Sequence, residues 1–237
     1  MSIWTSPFLI SLRTVGRKLG VNRYLARVWE RGDYEKDFRS TLLASVQAGD
    51  IVWDVGANEG YYTTYFARRV GPGGKVYALE PSPVNFERLR AACSLLPNVV
   101  ALCVGLGDRH ASLILQQGAD RCGATSRVLP DERAVHSPLG DRFKVELWSG
   151  DELVNSGSVD VPNVVKIDVE GFEVEVLSGM KQVLADPRVR TVGLEVHFGL
   201  LDERGHRSAP LALEGLFRQF GFRVAWPDFS HLLASRP

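Results

Sequence analysis

From Asp50 onward, short apolar runs alternate with longer stretches of helical periodicity, and tight polar turns separate them. Ile51 to Val55, Lys75 to Glu80, Asn98 to Val104, Val164 to Asp168 and Arg190 to Val196 read as strands buried on both faces. Helices are predicted between them. One runs over Tyr61 to Val70. The next is capped by Ser82 and Pro83 and buries Phe86, Leu89 and Cys93. A third turns Val176, Leu177, Met180 and Leu184 inward, and a fourth covers 211–220, before a late strand from Phe222 to Trp226. Ser112 to Leu115 and Phe143 to Trp148 read as extra strands around a polar, loop-like stretch, 116–140. Such alternation predicts an α/β fold with a mainly parallel central sheet and helices on both faces.

The first fifty residues carry a different pattern and read as N-terminal helices. Ser6 and Pro7 start one that turns Phe8, Leu12, Val15 and Leu19 to one face, and Gly20 ends it. Asn22 caps a second, with Tyr24, Leu25, Val28 and Trp29 on one side and Arg23, Arg27 and Arg31 on the other. A third spans Asp33 to Val46, with Tyr34, Phe38, Leu42 and Val46 inward. The expected organisation is a helical extension over 1–47 and a catalytic domain over 48–237. The extension has three readings: a lid over the acceptor pocket, the preferred one; a membrane-surface contact through 6–31; or a partner-binding face.

Charge and cysteine content narrow the function classes. The chain has 237 residues, with 28 basic and 28 acidic side chains. Non-specific nucleic-acid binding needs a basic field, which a neutral chain lacks, so no nucleic-acid partner is expected. Three scattered cysteines form neither a disulfide framework nor a zinc motif, and they fit a reducing, cytoplasmic setting. The longest uncharged run, Ala91 to Gly107, is cut by Pro97 and Asn98, so no membrane span is predicted. In the opening segment the apolar residues precede the charges, the reverse of a secretory signal.

In a sheet of this kind, ligands bind beyond the carboxyl ends of the strands. There the sequence places Asp54, Gly56, Asn58 and Gly60 after the first strand, Glu80 at the end of the second and Asp108 after the third. The dinucleotide fingerprint would need glycines at Gly56, Asn58 and Tyr61, so it fails at two of three positions. An acid on the first strand would repel a diphosphate but suits a cationic ligand. Glu80 can accept both hydroxyls of a ribose, and Asp108 can accept an adenine amine. Together they describe a nucleoside site without a phosphate cradle, for which S-adenosylmethionine is the fitting ligand.

The run GDIVWDVGANEGYYTTYFARRVGPGGKVYALEPSP resembles the FkbM family of S-adenosylmethionine-dependent methyltransferases, as does VVKIDVEGFEVEVLSGMKQVL followed by LEVH. The resemblance covers about residues 48–200 and implies a Rossmann-like class I methyltransferase fold. Carried over residue by residue, it implies that Asp54, Gly56, Asn58 and Gly60 form the methionine-side loop. Glu80 then holds the ribose and Asp108 lies near the adenine. Asp168 and Glu170 stand at the acceptor edge, with Glu195 and His197 opposite. Glu59 replaces a common aliphatic residue and is expected to point to solvent, because an acid is favourable in a first helical turn.

The implied activity is methyl transfer, chiefly to a hydroxyl on a small molecule, glycan or secondary metabolite. Asp168 is then the central acceptor-side group, His197 the candidate base and Glu170 a further catalytic carboxylate or a helix cap. No metal site is assigned, although Asp168, Glu195 and His197 would suit magnesium or another divalent ion. Two alternatives stay open, a non-catalytic binding module that keeps the fold and an RNA methyltransferase. The intact turns count against the first. The neutral charge counts against the second, as does the absence of an Asn-Pro-Pro-Tyr-type motif at Asp168. The oligomeric state is not read from the sequence.

Overall fold

A computed structural model describes residues 36–116, 127–129 and 142–236. The expected helices over 6–31, and the lid or membrane role given to them, lie outside these residues, as does the third cysteine, Cys122. Helix α1 (Lys36–Ser45) is the C-terminal part of the third predicted helix. Its Phe38 and Leu42, with the following Val46, are buried in one core with Val52, Phe66, Val76 and Val164. Gly193 permits this approach, since a Cβ there would lie 2.9 Å from the Phe38 ring.

The main sheet contains β1 (Ile51–Val55), β2 (Lys75–Leu79), β3 (Val99–Leu102), β8 (Val164–Ile167), β9 (Thr191–Glu195), β10 (Arg223–Ala225) and β11 (His231–Ser235), in the order β10-β11-β9-β8-β1-β2-β3. The pairings among β3, β2, β1, β8 and β9 are parallel, and β11 runs antiparallel to both β9 and β10. From β1 the chain winds outward through β2 to β3; from β8 it winds the other way. The carboxyl ends of β1 and β8 therefore flank the switch point, where ligands bind in such sheets.

Helices α2 (Tyr61–Val70) and α3 (Pro83–Ala92) follow β1 and β2 as expected. Their apolar faces cover the sheet through Tyr62, Phe66, Val70 and Leu89. On the opposite face Trp53 and Val55 pack with Val165, Ile167, Val176, Leu177, Met180 and Leu184 in the larger core. A smaller sheet of β4 (Gly105–Leu106), β5 (Ala111–Gln116), β6 (Arg127–Leu129) and β7 (Arg142–Trp148) lies in the order β4-β7-β5-β6. The two extra strands read from sequence are β5 and β7, while β6 is a strand inside the stretch expected to be loop.

Two further departures have physical causes, and a third, α7 (Phe198–Glu203), is a short helix the sequence did not announce. The helix predicted after β8 is two short ones, α5 (Glu173–Ser178) and α6 (Lys181–Ala185). The break falls at Gly179, where a Cβ would lie 2.0 Å from the Gly107 carbonyl oxygen, so another segment of chain crosses there. Helices α4 (Gly150–Asn155) and α7 are short, of six residues each. The capping box of Ser149 and Glu152 opens α4, although no amphipathic period announces it. Helix α8 (Ala209–Gln219) matches its expected span within two residues.

Candidate active site

The turn leaving β1 is shaped by three residues in the left-handed region: Gly56 (φ 72°), Asn58 (φ 50°) and Gly60 (φ 88°). Gly56 is obligatory on space alone, because a Cβ there would sit 1.8 Å from the Asp168 carbonyl oxygen. Gly60 serves packing: its missing Cβ leaves room for Leu89. The Gly56 and Ala57 amides donate to the Leu79 carbonyl at 2.9 and 3.0 Å, which ties the turn to the end of β2.

Glu80, the next residue, braces the same turn. One carboxylate oxygen accepts from the Asn58 amide at 2.8 Å and the other from the Ser82 amide at 2.9 Å. Each oxygen keeps acceptor capacity toward the crevice. Burial pushes the Glu80 carboxyl up to about 7, against the opposing effect of these two amides.

A crevice opens at this switch point. Gly56, Asn58, Glu80 and Asn85 line one end; Leu106, Leu115 and Leu147 form an apolar wall; Asp168 and Glu170 stand at the far edge. The side-chain carbonyl oxygens of Asn58 and Asn85 are buried without a hydrogen-bond partner among the described residues. With Glu80 they make a set of acceptors awaiting donors. An ammonium, two ribose hydroxyls and an adenine amine supply such donors, so these residues fit S-adenosylmethionine.

Other residues singled out from sequence sit elsewhere. Asp54 is fully buried behind the turn, where one oxygen accepts from the Thr63 hydroxyl at 2.6 Å and the other lies 3.5 Å from the Lys166 ammonium. It shapes the turn and does not line the crevice. Asp108 is half-exposed, pairs with Arg109 at 2.9 Å and does not line the crevice either. Glu59 pairs with Arg88 at 2.6 Å on the surface, the solvent-facing position expected of it.

The acceptor edge is built by β8, β9 and the turns after them. Lys166 is buried between Asp54 and Asp168, and its ammonium donates to the Gly56 carbonyl at 3.1 Å and to Asp168 at 3.4 Å. Burial alone would lower this ammonium; Asp168, Asp54 and Glu195 override it and hold the group above its ordinary value. For Asp168, burial acts upward, yet Lys166 and His197 bring the carboxyl below its usual range. Burial pushes Glu170 up to about 7, with Asp168, Glu195 and Glu173 adding to it. Its backbone is also held at a φ of 49°, uncommon for a residue with a side chain.

His197 is the hub. Its Nδ1 lies 2.7 Å from an oxygen of Glu173, which is fully buried and also accepts from the His197 and Gly171 amides. Its Nε2 faces Glu170, Asp168 and Glu195 at 3.5, 3.6 and 3.8 Å. Burial acts downward on the ring, but the Glu173 bond and the surrounding carboxylates carry it to about 10. Held above its ordinary value, the imidazole expected from sequence to be a base favours its charged form, in which both ring nitrogens are donors. Asp168 and Glu170 face the crevice; His197 stands behind them. Glu173 and Asn85 were not singled out from sequence. Glu173 belongs to the Lys-Ile-Asp-Val-Glu-Gly-x-Glu block, so an acid unassigned within a specific motif was its one signal.

The sheet order, the glycine turn after β1 and the acid closing β2 fit the class I methyltransferase fold expected from the sequence. Residues 54–224 match the Methyltransferase FkbM domain, and the chain belongs to that family of S-adenosylmethionine-dependent methyltransferases. It is 33% identical over 176 residues to the hexuronic acid methyltransferase AglP of Haloferax volcanii, covering 73% of this chain and 67% of that one. It is 28% identical over 177 residues to the 31-O-demethyl-FK506 methyltransferase FkbM of Streptomyces tacrolimicus, covering 64% of this chain and 67% of the relative. The crystal structure of methyltransferase FkbM from Methylobacillus flagellatus superposes with a TM-score of 0.51 at 15% identity, over 78% of this chain and 43% of that one. No helix among the described residues is long and apolar enough to cross a membrane.

The raised Glu80 carboxyl, taken with the ribose contact expected of it, gives a pH prediction. Hydroxyls donate to the ionised form, so below about 7 such a contact requires that Glu80 first lose a proton. Affinity for S-adenosylhomocysteine is expected to fall about tenfold between pH 8 and pH 6, as linkage through one carboxyl requires. Titration calorimetry at both values measures this, and a flat profile would show that Glu80 is already ionised at pH 6 or does not touch the ligand.

Proposed function

We propose that this methyltransferase O-methylates a hydroxyl of a sugar, within a glycan or a hydroxylated metabolite. The observation that carries the reading is the meeting of two acceptor sets in one crevice, Glu80 with Asn58 and Asn85 at one end and Asp168 with Glu170 at the other. Bound S-adenosylmethionine supplies an electrophilic methyl group on a sulfonium. Gly56 and Asn58 would hold its amino-acid end, Glu80 its ribose, and the Leu106 and Leu147 wall its adenine. Asp168 and Glu170 accept hydrogen bonds from the acceptor hydroxyl, orient it toward the methyl group, and take its proton. Lys166 keeps Asp168 in place.

Two named relatives support the acceptor class, one acting on a hexuronic acid and one on a demethylated hydroxyl of FK506. An RNA acceptor is disfavoured by the balanced charge, 28 basic against 28 acidic. A cytoplasmic setting fits the free thiols of Cys93 and Cys103. The test is transfer of labelled methyl to a panel of sugars, uronic-acid glycans, hydroxylated metabolites and RNA. Label is expected on a sugar or metabolite hydroxyl, with turnover reduced at least about a hundredfold in Asp168→Asn while S-adenosylhomocysteine still binds. Label on RNA or on nitrogen, or full turnover by the variant, would refute the reading.

A further inference from the structure

We infer that the acceptor edge is a divalent-cation site, with the His197 Nε2, Asp168 and Glu170 as its protein ligands. One ligand atom from each of these residues can be chosen so that all lie within 4.8 Å of one another. Around the imidazole the two nitrogens are treated differently. Nδ1 is committed to Glu173 at 2.7 Å, which leaves Nε2 as the nitrogen facing the crevice edge. Nε2 makes no hydrogen bond among the described residues: its neighbours, Glu170 Oε2 at 3.5 Å and Asp168 Oδ1 at 3.6 Å, stand too far away. Ligands about 2.1–2.2 Å from one octahedral ion are about 3 Å apart. The two spacings to Nε2 close to that with shifts of about half an ångström, and the two carboxylate oxygens, within 4.8 Å of each other, close by at most about 1.8 Å.

The buried carboxylate behind the ring is the second observation. Metal-ligating histidines characteristically donate their other nitrogen to such a group, which fixes the tautomer; as the ion binds, the Nε2 proton leaves to solvent and the freed lone pair faces the ion. Glu173 is placed for this and for nothing at the crevice, which it does not line. Its second oxygen is buried with no hydrogen-bond partner among the described residues. Asp168, Glu170, Glu173 and Glu195 converge on one imidazole; Lys166 meets Asp168 and His231 faces Glu195 at 3.6 Å, which leaves Glu170 and Glu173 with His197 as their one cationic neighbour among the ion pairs of the described residues. A divalent ion offsets this excess of negative charge. One imidazole with two carboxylates favours manganese or ferrous iron over calcium or a thiolate-seeking ion. The ion would share these two carboxylates with the acceptor hydroxyl, each ionised oxygen having more than one acceptor site, and it would bind whichever acceptor is used.

The test uses the full chain, stripped with EDTA, and manganese(II) as the probe. Electron paramagnetic resonance titration is expected to show one bound ion per chain, with spin-echo modulation from a single imidazole nitrogen. His197→Gln should abolish that modulation. Glu173→Gln leaves the ligands but loosens the ring, and should weaken binding 10- to 100-fold. Unchanged S-adenosylhomocysteine affinity in both variants reports that the fold and the cofactor site persist, whatever the metal result. Absence of stoichiometric binding would overturn the inference, as would bound manganese without nitrogen coupling or coupling that survives His197→Gln.

Discussion

Gly56→Ala is expected to destabilise the protein by at least about 4 kcal/mol and to abolish cofactor binding in whatever fraction still folds. Two costs combine. A left-handed backbone at φ 72° costs a residue with a side chain about 1–2 kcal/mol. The larger cost is contact, since the new methyl carbon would lie 1.8 Å from the Asp168 carbonyl oxygen. Relief requires β1 and β8 to separate where Asp168 donates its amide to Val55 at 3.0 Å. For a chain of this length such a loss lowers Tm by about 8–16 °C. Gly157→Ala separates the two costs: its φ is 73°, but nothing lies within 4 Å of the added carbon. Only the backbone cost should appear there. Equal thermal shifts in the two variants would show that the crossing at Asp168 is not the determinant.

Glu80→Gln is expected to weaken S-adenosylhomocysteine binding by about a hundredfold or more. Hydrogen bonds to a charged acceptor contribute about 1.5–3 kcal/mol each, and the carboxylate is placed to receive two from a ribose. The substitution also replaces one acceptor with a donor, which then faces the Asn58 or Ser82 amide and loosens the turn. Asp108→Ala is the matched control. Its side chain is half-exposed, pairs with Arg109 and lies off the crevice, so affinity should stay within about twofold. The Glu80 variant should also lose the pH dependence between pH 6 and pH 8. A variant that retains affinity, or an equal loss in Asp108→Ala, would move the nucleoside to another part of the crevice.

The strands that carry the site were legible because each is a short apolar run closed by a turn. Ile51 to Val55 and Val164 to Ile167 are buried throughout or nearly so, and their ends deliver Gly56 and Asp168 to one crevice. Strand β11 was not legible. It lies between β9 and β10 at the interior of the sheet, so His231 to Ser235 shows no clean alternation of apolar and polar residues. The convergence of Asp168, Glu170, Glu195 and His197 followed from placing two strand ends side by side. The partner of His197 did not, because Glu173 opens a helix three residues beyond Glu170 and sequence shows no face for it. Asp54 lies beneath the turn, bonded to Thr63 and 3.5 Å from Lys166, a place that its position in the motif does not show.

The most direct test of the account is a crystal structure of the full chain with S-adenosylhomocysteine. The account predicts the ligand in the crevice between β1 and β8, with both ribose hydroxyls on the Glu80 carboxylate, the amino-acid end at Gly56 and Asn58, and the sulfur toward Asp168 and Glu170. A ligand bound elsewhere, or one in this crevice whose ribose does not touch Glu80, would contradict it.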